Sequence, residues 1–457
     1  MDPSALPPGP RGPMAVQIAQ WLRDPLGYLD RAYAQFGPIF TMPQPGTPLV
    51  LISGAGPTET LFTDRRLALP GESELRPLLG DRAVLLLSGR EHRDRRRILM
   101  PPFAGGTMLA WGNAIQAMTR DCMAARERAG GGTNVRDLMQ EITLNVMLQI
   151  VFGDHEGPRR QKLRRDVTDR MLFSSTVGAV LALWLPILQT RRWPAWRRTL
   201  DAQTACDQAF FAEIAADRAA PGNAPTVLRI LLEATDETGA PLPDSDIRDE
   251  LMTMMVAGHE NTATALSWAI YWVNRYPAVL ARLRDELEAL GEDADPIAVA
   301  KLPYLEAVCN ETLRIFPPVM MTLGRIAEEA MEIGGHPIPA GTFLRSSIYL
   351  THQDPAVFPD PKRFDPDRFL GASFHKFALQ PFGGGGRKCI GAGFALFEMK
   401  LILAEMVRHW DVRLSDRPLR AVRRTGLLAP DTSFTIHPTP RPARPPAPVR
   451  ETQPCAA

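Results

Sequence analysis

Apolar residues recur with a helical spacing along most of the chain, and the longest such run covers residues 244–276. At about 1.5 Å per residue, a helix of about 30 residues is roughly 45–50 Å long, enough to cross a whole domain. Asp244 or Ser245 is predicted to cap this helix, and Pro277 to end it. A second strong run begins at Leu305 and is stopped by two prolines after Phe316. The pattern therefore predicts a long central helix and a shorter one over residues 305–316.

Runs typical of β-strands are few and short. An amphipathic helix predicted over residues 21–36 is followed by strand-like segments at residues 39–42 and 49–52, separated by a turn rich in Pro and Gly. Further short strands are predicted after Phe316, among them residues 331–333. The expected fold is mainly α with a minor β region.

The two ends of the chain are rich in proline. Residues 1–11 are predicted to form an extended arm, and residues 438–457 a disordered tail, because their composition cannot bury a core. A length of 457 residues alone would suggest about three domains. Because residues 12–437 contain no linker and no internal repeat, we expect a single domain there.

Composition and charge exclude several classes of partner. The chain is 45% hydrophobic, and its net charge of +1 argues against nucleic acid as the main partner. Its five cysteines are scattered and odd in number, which favours a reducing, cytoplasmic compartment. The N-terminus lacks the apolar core of a signal peptide, so neither secretion nor an N-terminal membrane anchor is expected.

One internal stretch, residues 171–188, is uncharged and long enough to span a bilayer. Ser174, Ser175, Gly178 and Pro186 weaken that interpretation, as does its place within an otherwise soluble pattern. We expect no membrane span here; whether this stretch touches a membrane surface is left open by the sequence.

A glycine-rich segment contains the cysteine with the most distinctive surroundings, Cys389. Four consecutive glycines precede it, which allows positive φ angles and close approach to a flat ligand. A helix is predicted from Gly391 onward, and its N-terminal dipole would favour the thiolate. One thiolate without companion Cys or His residues cannot close a zinc site, but it can be the single axial ligand of a haem. The alternative is a turn with a buried structural cysteine.

The spacing Phe382-x-x-Gly385-x-Arg387-x-Cys389-x-Gly391 resembles the cysteine-ligand loop of the cytochrome P-450 haem-thiolate monooxygenases, soluble bacterial type. The resemblance implies heme b held between the long central helix and this loop, with Cys389 as the iron ligand. It also implies that Phe382, Arg387 and Gly391 contribute to cofactor binding.

The middle of the central helix resembles the oxygen-binding segment of the same family. Ala257 and Gly258 would leave room for a bulky planar group beside the helix. The resemblance implies that Glu260, Asn261 and Thr262 govern proton delivery to dioxygen. Most members carry Thr at the position of Asn261, and Thr262 lies about 100° further round the helix. Asn can both donate and accept hydrogen bonds, so the role is possible with altered geometry.

Two neighbours of this segment have alternative interpretations. For Glu260, a proton relay is favoured over a structural ion pair. For His259, a packed structural role is favoured over iron ligation.

Cationic residues that the family sends to the haem propionates have counterparts here. His92 and Arg96 lie four residues apart and therefore on one helical face, and Arg325 and Arg387 complete the implied set. The nearby Arg93, Arg95 and Arg97 form either a solvated face or a docking patch for an acidic electron donor.

The resemblance also implies a buried triad. Glu311 and Arg314 lie three residues apart on the shorter helix, and Arg368 follows in a Pro-rich segment. One carboxylate and two guanidinium groups can exchange several charge-assisted hydrogen bonds, which would fix the loop beneath the haem.

The implied reaction is insertion of one oxygen atom from dioxygen into an apolar substrate such as a fatty acid, terpenoid or polyketide-like molecule. No bound flavin is expected and no iron–sulfur segment is recognised, so electrons would come from a separate ferredoxin and its reductase; a monomer is expected. Two alternatives remain: a haem-thiolate peroxygenase, isomerase or dehydratase that needs no redox partner, and a non-catalytic haem sensor. Position alone suggests these substrate-pocket residues: Met254, Met255, Val319, Met320, Leu427 and Leu428.

Overall fold

The computed structural model describes residues 6–44, 48–69, 75–103, 107–153, 157–220, 226–236, 238–415, 419–424 and 427–442. The α-helices found there are α1 Met14–Arg23, α2 Pro25–Phe36, α3 Ala55–Thr63, α4 Arg76–Leu79, α5 Gly89–Leu99, α6 Thr107–Ala129, α7 Val135–Phe152, α8 Pro158–Ser174, α9 Val177–Trp184, α10 Pro194–Ala219, α11 Val227–Glu233, α12 Asp244–Arg275, α13 Pro277–Leu290, α14 Pro296–Ala300, α15 Pro303–Ile315, α16 Ile348–His352 and α17 Ala392–His409.

The strands are short and form small sheets at the edge of the helical body. They are β1 Ile39–Met42, β2 Leu49–Ile52, β3 Leu67–Ala68, β4 Thr133–Asn134, β5 Arg325–Ala327, β6 Met331–Ile333, β7 His336–Ile338, β8 Phe343–Ser346, β9 Trp410–Leu414, β10 Ala421–Arg424, β11 Leu427–Pro430 and β12 Thr435–Pro440. The largest described sheet has the order β1-β2-β8-β5-β3. The prediction of a mainly helical protein with a minor β region is confirmed.

The central helix α12 runs from Asp244 to Arg275, as predicted. It packs against α7, α15 and α17, and most of its side chains are buried in the main core. The predicted cap is wrong, because Pro243 occupies the N-cap position and Asp244 lies in the first helical turn. A carboxylate there still faces the positive end of the helix dipole. Pro277 ends the helix and begins α13.

The amphipathic helix predicted over residues 21–36 is in fact the end of α1 followed by α2. Proline cannot continue a helix from within because it lacks an N–H group and clashes with the preceding turn. Pro25 therefore starts a new helix, and the Asp24 side chain caps it by accepting a hydrogen bond from the Gly27 N–H at 3.0 Å.

The predicted first two strands are confirmed. They pair antiparallel with Ile39 opposite Ile52, and β2 continues into a parallel pairing with β8. The proline-rich arm, described from Leu6 onward, lies against β1, where the Pro8 carbonyl accepts a hydrogen bond from the Thr41 N–H at 3.0 Å. Residues 1–5 of that arm are outside the described chain.

The predicted start of the C-terminal tail is wrong. Residues 438–440 belong to β12, which pairs antiparallel with β9, placing Pro438 opposite Val412. β4 pairs only with Thr435 and Ile436, so the prolines lie where the strand has a neighbour on one side. Proline is tolerated at such an edge because no second ladder needs its N–H group. Residues 443–457, including Cys455, are outside the described chain.

The apolar stretch 171–188 is divided among the end of α8, the short α9 and a 3-10 turn at Pro186–Leu188. None of the helices in the described ranges is both long and apolar enough to cross a membrane. Val177 and Ile187 are among its most exposed side chains.

Trp268 on α12 offers a test of how the central helix holds the β10–β11 hairpin. Its indole N–H donates to the Leu428 carbonyl at 2.8 Å, whereas the buried indole N–H of Trp272, one turn later, has no partner. Both rings contact Phe316. Trp268→Phe should therefore lower the free energy of unfolding by about 1–2 kcal/mol more than Trp272→Phe, because only the former leaves a buried carbonyl unpaired. Urea unfolding of both variants measures this difference; equal losses would contradict it.

Candidate active site

The loop before α17 places Cys389 as the sequence predicts, just ahead of a helix. Gly383 and Gly385 adopt φ angles of 68° and 59°, which only glycine adopts readily. The chain then makes a 3-10 turn at Gly385–Arg387, and the Cys389 N–H donates to the Phe382 carbonyl at 2.9 Å. α17 begins at Ala392, with Gly391 as its N-cap.

Two of the four glycines also permit close packing inside the protein. A Cβ atom at Gly384 would lie 2.8 Å from the Phe377 ring, and one at Gly385 would lie 3.1 Å from Phe62. These glycines accommodate the stacked rings of Phe62 and Phe377 in addition to any ligand above the loop.

The groups predicted to favour the Cys389 thiolate do lower its pKa, but they do not prevail. Desolvation of the thiol raises its pKa although the residue keeps exposed surface, and the Gly391 N–H, Arg96 and Lys388 only partly oppose that effect. The helix N-terminus and the neighbouring cations therefore do not by themselves produce a thiolate. Coordination of the sulfur by a metal ion would do so, since a coordinating thiol is deprotonated outright.

Four side chains from three separate parts of the chain converge near this loop. They are His92 and Arg96 from α5, Arg325 from β5 and Arg387 from the cysteine loop. Burial and, after it, repulsion from Arg325 and Arg96 together lower the pKa of Arg387 to about 10. Burial, followed by repulsion from Arg387 and Arg96, lowers the pKa of His92 to about 4, so its imidazole is neutral at pH 7.

Within the described chain, no carboxylate forms an ion pair with any of these four side chains. Arg387 instead donates to the carbonyls of Val84 and Leu87, and Arg325 to the carbonyl of Gly324. Arg325 is buried and Arg96 and Arg387 are half-buried, and holding three such guanidinium groups together without an anion is costly. A ligand carrying two carboxylates would neutralise most of this charge, so the residues fit the propionates of a haem whose iron contacts Cys389.

The alternatives for the basic helix α5 divide residue by residue. Arg93 and Arg97 are exposed, and Arg97 pairs with Asp94 at 3.3 Å. Arg95 belongs neither to a solvated face nor to a docking patch, because it is buried and paired with Asp246 and Glu250 on α12. Of these three arginines, Arg95 thus makes an internal contact and does not belong to a surface cluster.

In its middle, the central helix has one accessible face, the open face of α12. Ala257 is exposed although it lies between buried turns, and Asn261, one turn later, is partly exposed. The predicted role of Gly258 in making room for a planar group stays a prediction. Gly258 is partly exposed, and its missing side chain also accommodates Met147 on α7, whose sulfur would lie 2.7 Å from a Cβ atom there.

The polar residues of this segment point in three directions. Asn261 donates from Nδ2 to the Ala257 carbonyl at 2.8 Å, while its buried Oδ1 has no hydrogen-bond partner in the described chain. Thr262 is buried and donates to the Gly258 carbonyl at 3.0 Å. Glu260 accepts hydrogen bonds from Arg136 at 3.0 Å and from Gln140 at 2.6 Å, both on α7.

Each contact bears on a predicted role. The Glu260 carboxylate is engaged in the structural ion pair that was the less favoured interpretation, so a relay through it stays a prediction. His259 is buried, as expected of a packed residue, and burial lowers the pKa of its imidazole. The buried Oδ1 of Asn261 is left as a hydrogen-bond acceptor without a partner in the described chain.

Glu398 on α17 is a buried acid that sequence reasoning missed. Neither of its carboxyl oxygens has a partner within hydrogen-bond distance in the described chain. Burial raises the pKa of Glu398 well above its usual value, and the Thr262 hydroxyl opposes this only in part. An acidic residue inside the otherwise apolar run that follows Cys389 was the available signal.

The predicted triad is assembled in the interior. Arg314 donates to both oxygens of Glu311, at 2.5 and 2.8 Å, and Arg368 donates to the same carboxylate at 3.1 Å. The Asp365 N–H adds a bond at 2.8 Å. Glu311 and Arg314 have no exposed surface.

His352 connects this triad to the cysteine loop. Arg314 donates to the His352 carbonyl at 2.9 Å, and the Gln380 N–H donates to the ring Nε2 at 2.9 Å. The ring proton therefore lies on Nδ1, which faces the Arg314 carbonyl at 3.2 Å. The Gln380 carbonyl in turn accepts from the N–H of Gly383 at 2.9 Å, so the hydrogen bonds run continuously from Glu311 to the loop.

The six predicted pocket residues differ in exposure. Met255 and Leu428 have no exposed surface and Met320 has 3%, so their place on a pocket wall stays a prediction; periodicity cannot tell a core face from a cavity face. Met254 is 8% exposed and lies one turn before Ala257 on the open side of α12. Val319 and Leu427 are accessible and joined by a β-bridge, and Leu323 is exposed nearby in sequence.

The buried imidazole of His352 predicts acid sensitivity. Burial and Arg314 lower its pKa to about 3. The unfolded chain binds a proton near pH 6.5 and the folded chain does not, so this group costs stability as the pH falls below about 6.5. Between pH 7 and pH 5 the loss should be about 2 kcal/mol. His352→Asn, which cannot ionise, should lose that much less over the same interval in urea unfolding; parallel losses in both proteins would contradict the assignment.

Comparison with known proteins agrees with this site. The family model described as Cytochrome P450 matches residues 7–437. Cytochrome P450 135B1 of Mycobacterium tuberculosis is 38% identical over 413 residues, covering 88% of this chain and 85% of its own. Cytochrome P450 135A1 of the same organism is 32% identical over 416 residues, covering 90% and 89%.

Solved structures give the same answer for the fold. The structure of retinoic acid-bound cyanobacterial CYP120A1 superposes with a TM-score of 0.83 at 26% identity, covering 95% of this chain and 99% of that one. The haem domain of cytochrome P450DA superposes with a TM-score of 0.82 at 25% identity, covering 96% and 98%. The family match over nearly the whole described chain, together with these relatives, shows that the chain belongs to the bacterial cytochrome P450 family of haem-thiolate monooxygenases.

Proposed function

We propose that this cytochrome P450 binds heme b through Cys389 and inserts one oxygen atom from dioxygen into an apolar, lipid-like substrate, using electrons from a separate ferredoxin and its reductase. The observation that carries the cofactor assignment is the set of three unpaired guanidinium groups and one neutral imidazole beside the cysteine loop. Bound haem would supply the oxygen-activating chemistry.

The chain's own residues would hold and orient that cofactor. Arg96, Arg325 and Arg387 provide charge, and His92 a neutral hydrogen-bond donor, for two carboxylates. The Glu311 triad and His352 hold the cysteine loop in place. Ala257 leaves space beside the central helix. The Phe382 carbonyl supports the loop by accepting a hydrogen bond from the Cys389 N–H.

The substrate class rests on the accessible residues near the open face of α12. Met254, Ala257, Val319, Leu323 and Leu427 are all apolar, which suits a guest recognised by burial of hydrocarbon surface. One similar structure is bound to retinoic acid, an elongated terpenoid. Fatty acids, terpenoids and polyketide-like molecules all meet this requirement, and a panel of them should reveal the substrate by a low- to high-spin shift of the haem.

The electron donor is proposed to be an acidic protein that docks on exposed Arg93 and Arg97 of α5. The cytoplasm and a monomeric state stay predictions. A haem-thiolate peroxygenase is the second candidate, favoured by Asn261 at the position where the family mostly carries Thr. Turnover with dioxygen, ferredoxin and reductase supports the first function; turnover with hydrogen peroxide alone supports the second. Failure of the whole panel to displace the iron-bound water would instead favour a haem sensor.

Thiolate ligation is tested by spectroscopy. The reduced protein with carbon monoxide should show the red-shifted Soret band typical of a thiolate ligand, and Cys389→Ala should abolish it. Cys122→Ala is the control, because Cys122 lies on α6, away from the loop, and should leave the band unchanged. An unshifted band in the wild type would rule out ligation by Cys389.

Asn261 is tested by coupling efficiency. Its amide Nδ2 is committed to the Ala257 carbonyl, and its Oδ1 is buried without a partner among the described residues. A hydroxyl both donates and accepts from one rotatable atom. Asn261→Thr should therefore raise the product formed per NADH by about twofold or more, a modest part of the roughly 10²–10⁴-fold that a positioned proton-transfer group contributes. Thr262→Ser is the matched control. Equal coupling in wild type and Asn261→Thr would show that Asn261 takes no part.

A further inference from the structure

The first half of the central helix carries three buried acids that do not belong to the oxygen-side segment. Asp246, Asp249 and Glu250 occupy positions i, i+3 and i+4 and therefore share one helical face. All three are buried. This acidic face of α12 contacts residues 79–95, which run from the end of α4 into α5. Both the backbone and the side chains of these residues take part.

The backbone contacts fix the approach of this stretch. Asp249 accepts a hydrogen bond from the Arg82 N–H at 2.9 Å, and Arg248 donates to the Leu79 carbonyl at 3.1 Å. Gly80 has a φ of 98°, and a Cβ atom there would lie 2.0 Å from the Asp249 carboxylate. Only glycine permits so close an approach. The stretch is therefore seated on α12 before α5 begins.

The side-chain contacts fix α5 itself. Arg95 is buried and donates from Nη2 to Asp246 at 2.8 Å and from Nη1 to Glu250 at 3.1 Å. Arg82 also lies 3.5 Å from Asp246. Arg95 stands three residues after His92 and directly before Arg96. Of two adjacent arginines, one is neutralised by the central helix and the other has no carboxylate partner among the described residues.

We propose that the acidic face of α12, acting through Arg95, positions α5 so that His92 and Arg96 present their donors to the cofactor carboxylates. Arg95, Asp246 and Glu250 are then positioning residues, and the inference rests on the proposed role of His92 and Arg96. The same stretch supplies the Val84 and Leu87 carbonyls that hold Arg387. The acidic face thus orders two sides of the cationic site at once.

The charge state of Glu250 suggests a suitable variant. Burial raises its pKa to about 8, and Arg95 and the Val84 N–H oppose this in part, so the carboxyl is mostly neutral at pH 7. Gln has the same shape, is neutral and still offers a carbonyl oxygen to Arg95. Glu250→Gln should therefore preserve the contact, whereas Glu250→Leu removes the acceptor and leaves Arg95 with one partner.

The experiment measures the rate at which the ferric holoenzyme loses haem to an excess of apomyoglobin at pH 7. Glu250→Leu and Arg95→Met should lose haem about tenfold faster than wild type, the equivalent of roughly 1.4 kcal/mol. Glu250→Gln should stay within about twofold, because the hydrogen bond is kept. Asp94→Asn is the control on the same helix, since Asp94 pairs with Arg90 and Arg97 near the surface.

A double-variant comparison separates positioning from general destabilisation. If Glu250 acts through the cofactor ligands, Glu250→Leu should accelerate haem loss by less than about twofold in a protein that already carries His92→Ala and Arg96→Ala. An undiminished tenfold effect in that protein would overturn the inference. Should His92→Ala and Arg96→Ala themselves leave haem loss unchanged, the proposed cofactor role fails instead. In every folded variant the Soret band with carbon monoxide should keep its thiolate position, because Cys389 is untouched.

Discussion

Repulsion among like charges is the constraint on which this structure depends. Arg96, Arg325 and Arg387 come from a helix, a strand and a loop that are far apart in sequence. Bringing their charges together in a partly buried site raises the free energy of the folded chain unless an anion joins them. Such an arrangement cannot arise from local preference. The surrounding fold must therefore be rigid enough to hold these groups in place, and its most strongly bonded parts lie where that rigidity is needed.

Two buried ionic systems supply the rigidity, one at the cysteine loop and the other at α5. Glu311 with its two arginines anchors the segment that leads through His352 and Gln380 into the cysteine loop. The acids of the first half of α12 anchor the helix that carries His92 and Arg96. In both systems arginine side chains donate to buried acids. Hydrogen bonds from a guanidinium group are directional, so they fix geometry in a way that apolar packing alone does not.

The polar residues in the middle of α12, residues 260–262, are held by fewer hydrogen bonds. Glu260 is bound to α7, Thr262 faces the next layer of the core, and Asn261 uses one end of its amide on its own helix. Next to Thr262 lies the buried acid Glu398, whose pKa is raised by desolvation. The polar groups on this side are thus few, and a change at Asn261 is not compensated by a neighbour on the open face.

The sequence by itself determined the helical class, the bounds of the central helix within a residue and the place of the cysteine loop. These follow from periodicity, proline and glycine positions and fixed motif spacing, all of which are local. The membership of the Glu311 triad was implied by the resemblance of its motifs to the family. Only the tertiary structure decided that Gly258 accommodates Met147, that Met255 belongs to the core and that Arg95 is internal. A helix shows the same periodicity whether its apolar face meets another helix or a cavity, and an arginine shows no sign of its partner. Which neighbour fills each face is fixed by contacts between segments distant in sequence, and these exist only in the folded chain.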